Sequence, residues 1–400
     1  MIRYFRSPRA GAGFLLAVLV AALTLSGCDT PGASSAAAPI MIGGLFNVTG
    51  PMGGLDVEGN NGALLAAQEI NAAGGVLGTT INLVVKDGKT DPTTIGQVTA
   101  DLLKDHPAAL VGFGDTDSVL ISGPFAQRAN VPFVTYGATS PRLPVTVGST
   151  LFLACFGDNV QAAAGAEFMY NTLHARKVAL VYDKGVEYTR LLAGYFKDSW
   201  TGLAGRDSIL TEETYRYKDT DYSVQIQHIK ALKTQPDVLY IAAMPVDIPV
   251  IVKQLRDAGI TLPVVGGDGY DTPDLLKVGP AANNVYYSTH ALVNAEQSSP
   301  ALKSFTERYK AAYKTDPSAF SALGYDAMML VADAVKRAGS GDPVKVQKAL
   351  EETTNFAGLT GSISFSASSH IPRKDVTMLA VKDGRLDLAS ELQPKVIPAP

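Results

Sequence analysis

A chain of 400 residues, 46% hydrophobic and with a formal net charge of −4, is long enough to build two domains with well-buried interiors. No basic run in it tracks a phosphate backbone, which excludes nucleic acid as the expected partner. It holds 2 cysteines and 5 scattered histidines, and no Gly-x-Ser-x-Gly, Walker loop or His-x-x-x-His, so no enzymatic activity, metal or cofactor is expected.

At the start of the chain, Arg3, Arg6 and Arg9 precede an apolar run from Phe14 to Leu25 that is too short to span a bilayer as a stable helix. This layout predicts a signal peptide over residues 1–27. Leu25-Ser26-Gly27-Cys28 resembles a lipobox, which makes Cys28 the expected site of lipidation and the first mature residue. Asp29 resembles the inner-membrane retention signal of Gram-negative lipoproteins. Residues 28–39, rich in Ala, Ser, Pro and Gly, read as a flexible tether. With Cys28 acylated, Cys155 has no partner for an internal disulfide, and the core alone must hold the fold. The expected product is an extracytoplasmic, periplasmic protein fixed to the membrane by lipid.

Beyond the tether, short apolar runs alternate with amphipathic stretches, the pattern of strand–helix–strand crossovers in a parallel sheet. Strands are predicted over Ile40–Leu45, Ile81–Lys86, Ala108–Phe113 and Pro132–Tyr136, with helices Asn60–Ala72, Thr94–Leu103 and Val119–Arg128 between them. After Leu151–Phe156 a second series repeats the scheme, with strands Lys177–Tyr182, Ser208–Glu213, Asp237–Ala242, Pro263–Gly266 and Asn284–Ser288. Its most regular helix has Ile248, Ile251, Val252, Leu255 and Ala258 on one stripe, Asp247 as the expected N-cap and Gly259 at the stop. Helices follow over Ala301–Tyr313, Ser318–Ala338 and Val344–Glu352. Gly361–Phe365, Val376–Val381 and Arg385–Leu388 then read as strands added to one half.

An ordered set of segments resembles the substrate-binding proteins of branched-chain amino acid (Leu/Ile/Val-type) ABC transporters, with the type I periplasmic-binding fold. The set comprises Thr49-Gly50-Pro51, Gly62-Ala63, Glu69-Ile70-Asn71-Ala72-Ala73-Gly74-Gly75-Val76-Leu77-Gly78, Asp91-Pro92, Val131-Pro132-Phe133-Val134-Thr135, Ala138-Thr139-Ser140-Pro141, Gln254-Leu255-Arg256-Asp257-Ala258-Gly259 and Gly324-Tyr325-Asp326-Ala327. The resemblance implies an α/β protein of two doubly wound parallel-sheet lobes. Three crossovers join them, near Cys155, near Thr289 and around Gly358–Ser364. Lobe I would hold residues 40–154 and 290–358, and lobe II residues 155–289 and 359–400. It also implies a monomer that closes its hinge on a small molecule and delivers it to an ABC permease. A sensing lipoprotein of the same fold, and a ligand that is an amide, urea or aromatic carboxylate, stay open as alternatives.

A zwitterion in a cleft needs hydroxyls and N–H groups for its carboxylate, and an acid with a carbonyl for its ammonium. Gly112-Phe113-Gly114-Asp115-Thr116-Asp117-Ser118 places free N–H groups at a helix start, where the dipole favours an anion. The same polar residues also read as caps of that helix. By resemblance Thr116 and Thr139 face the carboxylate, the Gly137 carbonyl faces the ammonium with Ala138 beside it, and Asp268 pairs the ammonium. Met244 stands where aliphatic binders place Tyr, and Leu55 where an aromatic wall is often found. Tyr188 is displaced by one residue from the family's Tyr-Gly. Asp115 and Asp117 flank Thr116 and, if both faced the cleft, would call for a ligand with extra donors or positive charge.

Overall fold

The computed structural model describes residues 38–293, 297–366 and 368–400. The expected signal peptide, Cys28 and the tether up to residue 37 lie outside the described residues. Among the described residues there are fourteen strands: β1 (Ile40–Phe46), β2 (Ile81–Asp87), β3 (Ala109–Gly112), β4 (Phe133–Thr135), β5 (Leu151–Leu153), β6 (Val178–Asp183), β7 (Ile209–Tyr215), β8 (Val238–Ala242), β9 (Val264–Gly266), β10 (Val285–Thr289), β11 (Phe356–Gly358), β12 (Gly361–Ile363), β13 (Val376–Lys382) and β14 (Arg385–Leu392).

Twelve of them form the sheets of two α/β lobes, while β12, expected to join the same half as Val376–Val381, pairs only with β11, antiparallel, in a separate two-stranded sheet. The first sheet runs β2-β1-β3-β4-β5, all neighbours parallel. The second runs β14-β13-β10-β9-β8-β6-β7, parallel except where β13 pairs antiparallel with both β10 and β14. Helices on both faces explain why Ala109–Gly112 and Val238–Ala242 are buried along their whole length rather than alternating.

The chain passes between the sheets three times. The first passage follows β5 and enters helix Asp158–Asn171, and the second follows β10 and leads to helix Pro300–Tyr313. The third lies between Ile363 and Val376, later than the Gly358–Ser364 expected. The delay has a local cause: buried Asp326, in helix Ala319–Ala338, accepts hydrogen bonds from Leu359 N at 2.7 Å and Thr360 N at 2.9 Å, which holds this stretch on the first lobe.

Two elements differ from expectation in instructive ways. Helix Gly53–Ala72 begins well before Asn60; Gly53, Gly54 and Gly59 dilute the apolar signal of its first turns. Asp247 does precede helix Ile248–Asp257, but its side chain makes no cap bond. It accepts instead from Lys218 N at 2.9 Å, in a neighbouring loop. Helix Gly53–Ala72 packs closely on Ala319–Ala338 because both carry glycine at the contact. A Cβ on Gly62 would lie 1.9 Å from the Ser321 carbonyl oxygen, and one on Gly324 2.0 Å from that of Gly59.

Candidate functional site

In a parallel sheet the strands all end at one edge, and a ligand site forms outside those carboxyl ends. Here the two edges face each other. From the first lobe, β3 ends at Gly112 and runs through Gly114 and Asp115 into helix Thr116–Ala129, while β4 ends at Thr135 and leads to Gly137 and Thr139. From the second, β8 leads to Met244 and Pro245, β9 to Asp268, and β6 to helix Glu187–Ala204, which carries Tyr188 in its first turn.

These segments enclose one cavity of about 20 Å³, lined by Leu55, Asp115, Thr116, Asp117, Gly137, Thr139, Tyr188, Met244 and Asp268. Met52, Gly114, Pro245, Gly269 and Phe320 complete its wall. Ala138 stands behind it: its N–H donates to Thr135 Oγ1 at 3.2 Å, and its carbonyl receives Cys155 Sγ at 3.4 Å. By this measure the cavity has room for little more than one water molecule, so the two lobes stand close together.

On the first lobe, Thr116 is 1% exposed and its hydroxyl has no partner. It opens a helix whose first-turn N–H groups favour negative charge. Asp115 is turned onto its own helix, accepting from Ser118 N at 2.8 Å and from Asn47 Nδ2 at 3.1 Å. Behind it Asp56 accepts from Asn47 N at 2.6 Å, Gly114 N at 2.9 Å and the Tyr136 hydroxyl. Burial raises the pKa of both carboxyls, and each lies close enough to the other to reinforce the rise in Asp115. Asp117, exposed at the rim, is pushed up to about 6 by loss of water on its inner side and then by Asp115.

On the second lobe, Asp268 is 2% exposed and heavily bonded. Its Oδ1 accepts from Gln161 Nε2 and from Tyr188 Oη, each at 2.9 Å, and its Oδ2 lies 2.9 Å from His290 Nε2. Its own N–H donates to Gln161 Oε1 at 3.0 Å. Asp158, in the first turn of helix Asp158–Asn171, also accepts from Gln161 at 2.9 Å. Burial, then the Asp268 charge, push Asp158 up to about 8, so it holds its proton at neutral pH. Gln161 and His290 carried no sequence signal; the one precedes Asp268 by 107 residues and the other follows it by 22. Among the described residues, no group of three His, Cys, Asp or Glu side chains is arranged to hold a metal ion.

Two parallel-sheet lobes with facing strand ends enclose a cleft lined by hydroxyls, backbone and the carboxyl groups of Asp115, Asp117 and Asp268, the arrangement of a two-lobed binding protein. The family model for periplasmic binding proteins matches residues 39–385, and this chain belongs to that family. Its fold is the type I periplasmic-binding fold, and the family's place is outside the cytoplasm. The chain is similar to the branched-chain amino acid transporter substrate binding protein LivJ of Streptococcus pneumoniae, solved in complex with isoleucine. The TM-score is 0.82 and the identity 30%, covering 89% of this chain and 100% of the other. A leucine binding protein, LivK, of Thermotoga maritima gives a TM-score of 0.81 and 30% identity, over 89% of this chain and 99% of that one. The leucine-, isoleucine-, valine-, threonine-, and alanine-binding protein of Pseudomonas aeruginosa is 24% identical over 363 residues, 91% of this chain and 95% of its own.

Proposed function

We propose that this protein captures an α-amino acid between its lobes and delivers it to an ABC permease, while lipid on Cys28 keeps it at the membrane. The observation that carries this reading is the asymmetry of the cleft. One wall offers an unpartnered buried hydroxyl, Thr116, beside a helix N-terminus; the opposite wall offers a buried carboxylate, Asp268. A molecule with a carboxylate at one end of a short span and an ammonium at the other matches that pair. The relatives that bind leucine, isoleucine and related amino acids support it.

In this reading Thr116 and Thr139 hold the carboxylate, and the Gly137 carbonyl and Asp268 hold the ammonium. Tyr188 orients Asp268, and Leu55 and Met244 meet the side chain. Asp115 turns its carboxyl group onto its own helix start, bonded to Ser118 N and Asn47 Nδ2, so that Thr116 rather than Asp115 meets the ligand carboxylate. The lobes, residues 40–154 with 290–358 and 155–289 with 359–400, open to admit the ligand and close as a monomer around it.

Calorimetry with a panel of L-amino acids on the wild type and on Asp268→Ala tests the reading. At least one amino acid should bind the wild type at micromolar affinity, about 8 kcal/mol. Asp268→Ala should weaken it by about a hundredfold or more, with its unfolding temperature little changed. A panel without binders, or a variant that binds within a few-fold of wild type, would refute it.

A further inference from the structure

The bonds around Asp268 restrict what can approach it. A carboxylate offers about four acceptor directions. Gln161 and Tyr188 take both on Oδ1, and His290 takes one on Oδ2. A single direction on Oδ2 is left. A flat, two-pronged cation such as a guanidinium needs two parallel acceptors and finds only one; a lone ammonium N–H finds what it requires.

His290 is itself tightly held. It is 3% exposed, its ring stacks on Phe156 with centroids 3.8 Å apart, and Phe320 meets it edge-on at 6.2 Å. Phe156 lies on the first passage between the sheets and His290 on the second, directly after β10. Phe320 is in the first turn of helix Ala319–Ala338 and lines the cleft. Nδ1 has no partner, and burial pushes the imidazole pKa down, so the neutral ring carries its proton on Nε2, where the carboxylate accepts it.

We propose that His290 is a positioning residue. Itself on the second passage, and held by Phe156 of the first and by Phe320 at the tip of helix Ala319–Ala338, it fixes Asp268 so that one acceptor direction remains, selecting a primary amine and tying its capture to the hinge. This rests on the amino-acid reading of the cleft.

The test uses L-leucine, L-alanine and L-glutamine as probes on the full mature chain. His290→Phe keeps the ring stack and removes the donor; affinity for any probe that the wild type binds should fall about ten- to hundredfold. His290→Gln returns an N–H donor and should recover affinity to within about threefold of wild type. The two ligand-free variants should unfold at similar temperatures. Unchanged affinity in His290→Phe, or a Gln variant as weak as the Phe variant, overturns the proposal.

If the wild type bound none of the probes, the amino-acid reading would be in doubt and not the role of His290. Nitrogen NMR of the wild-type imidazole then decides that role, as it does if either variant fails to fold. A slowly exchanging Nε2 proton supports it, and a proton on Nδ1 overturns it.

Discussion

Asp158 shows how the cleft stores unfavourable electrostatics. Its carboxyl is fully buried, one oxygen has no partner, and the charge of Asp268 stands nearby. Folding raises its pKa from 3.8 to about 8. Between those values the native state binds a proton that the unfolded chain has released, so stability must fall as pH rises through this window. Urea unfolding at pH values from 4 to 8 should show that fall. Asp158→Asn, which keeps an acceptor for Gln161, should flatten it and gain most at the alkaline end. An identical slope in the variant would show that Asp158 is ionised in the fold. At this scale the sequence was partly legible. Thr116, Thr139 and Asp268 stand in motifs whose resemblance gives them roles, and they do reach one cavity. Gln161 and His290 were not legible, because a side chain that meets its partner only through tertiary folding leaves no local pattern.

At the scale of elements, the alternation of apolar runs was enough to place most strands of both sheets, the fully buried ones such as Ala109–Gly112 and Val238–Ala242 most plainly, whereas the short β5 was not predicted as a strand. What failed locally failed for physical reasons. The first turns of helix Gly53–Ala72 are glycine-rich because that helix must approach another closely, so the feature that makes the packing possible also weakens the helix signal. Asp247 had the chemistry of a cap and the right position, yet a loop N–H from Lys218 claimed its carboxylate. The close approach gives a direct prediction. Gly62→Ala forces a methyl group against the Ser321 carbonyl oxygen, and Gly324→Ala does the same at Gly59. Each should cost at least about 2 kcal/mol in urea unfolding. A loss below about 0.5 kcal/mol would mean that the helices sit farther apart.

At the scale of the molecule, three chain passages hold two lobes that each have a sheet of their own, and several buried polar groups gather at those passages. Cys155 lies on the first and His290 on the second. Lys374 lies on the third, where its ammonium donates to Thr360 Oγ1 at 2.7 Å. Burial pushes the Lys374 pKa down, and Asp326 opposes that shift. In the proposed closure, such a junction would give the lobes a defined axis rather than free rotation. The cavity of about 20 Å³ is too small for an amino acid to enter without movement of the lobes or their side chains. Small-angle X-ray scattering on the mature protein, with and without a saturating amino acid identified by calorimetry, tests that movement most directly. The radius of gyration should fall when ligand is added, as an open ensemble closes around it. Superimposable scattering curves at proven saturation would contradict capture by closure.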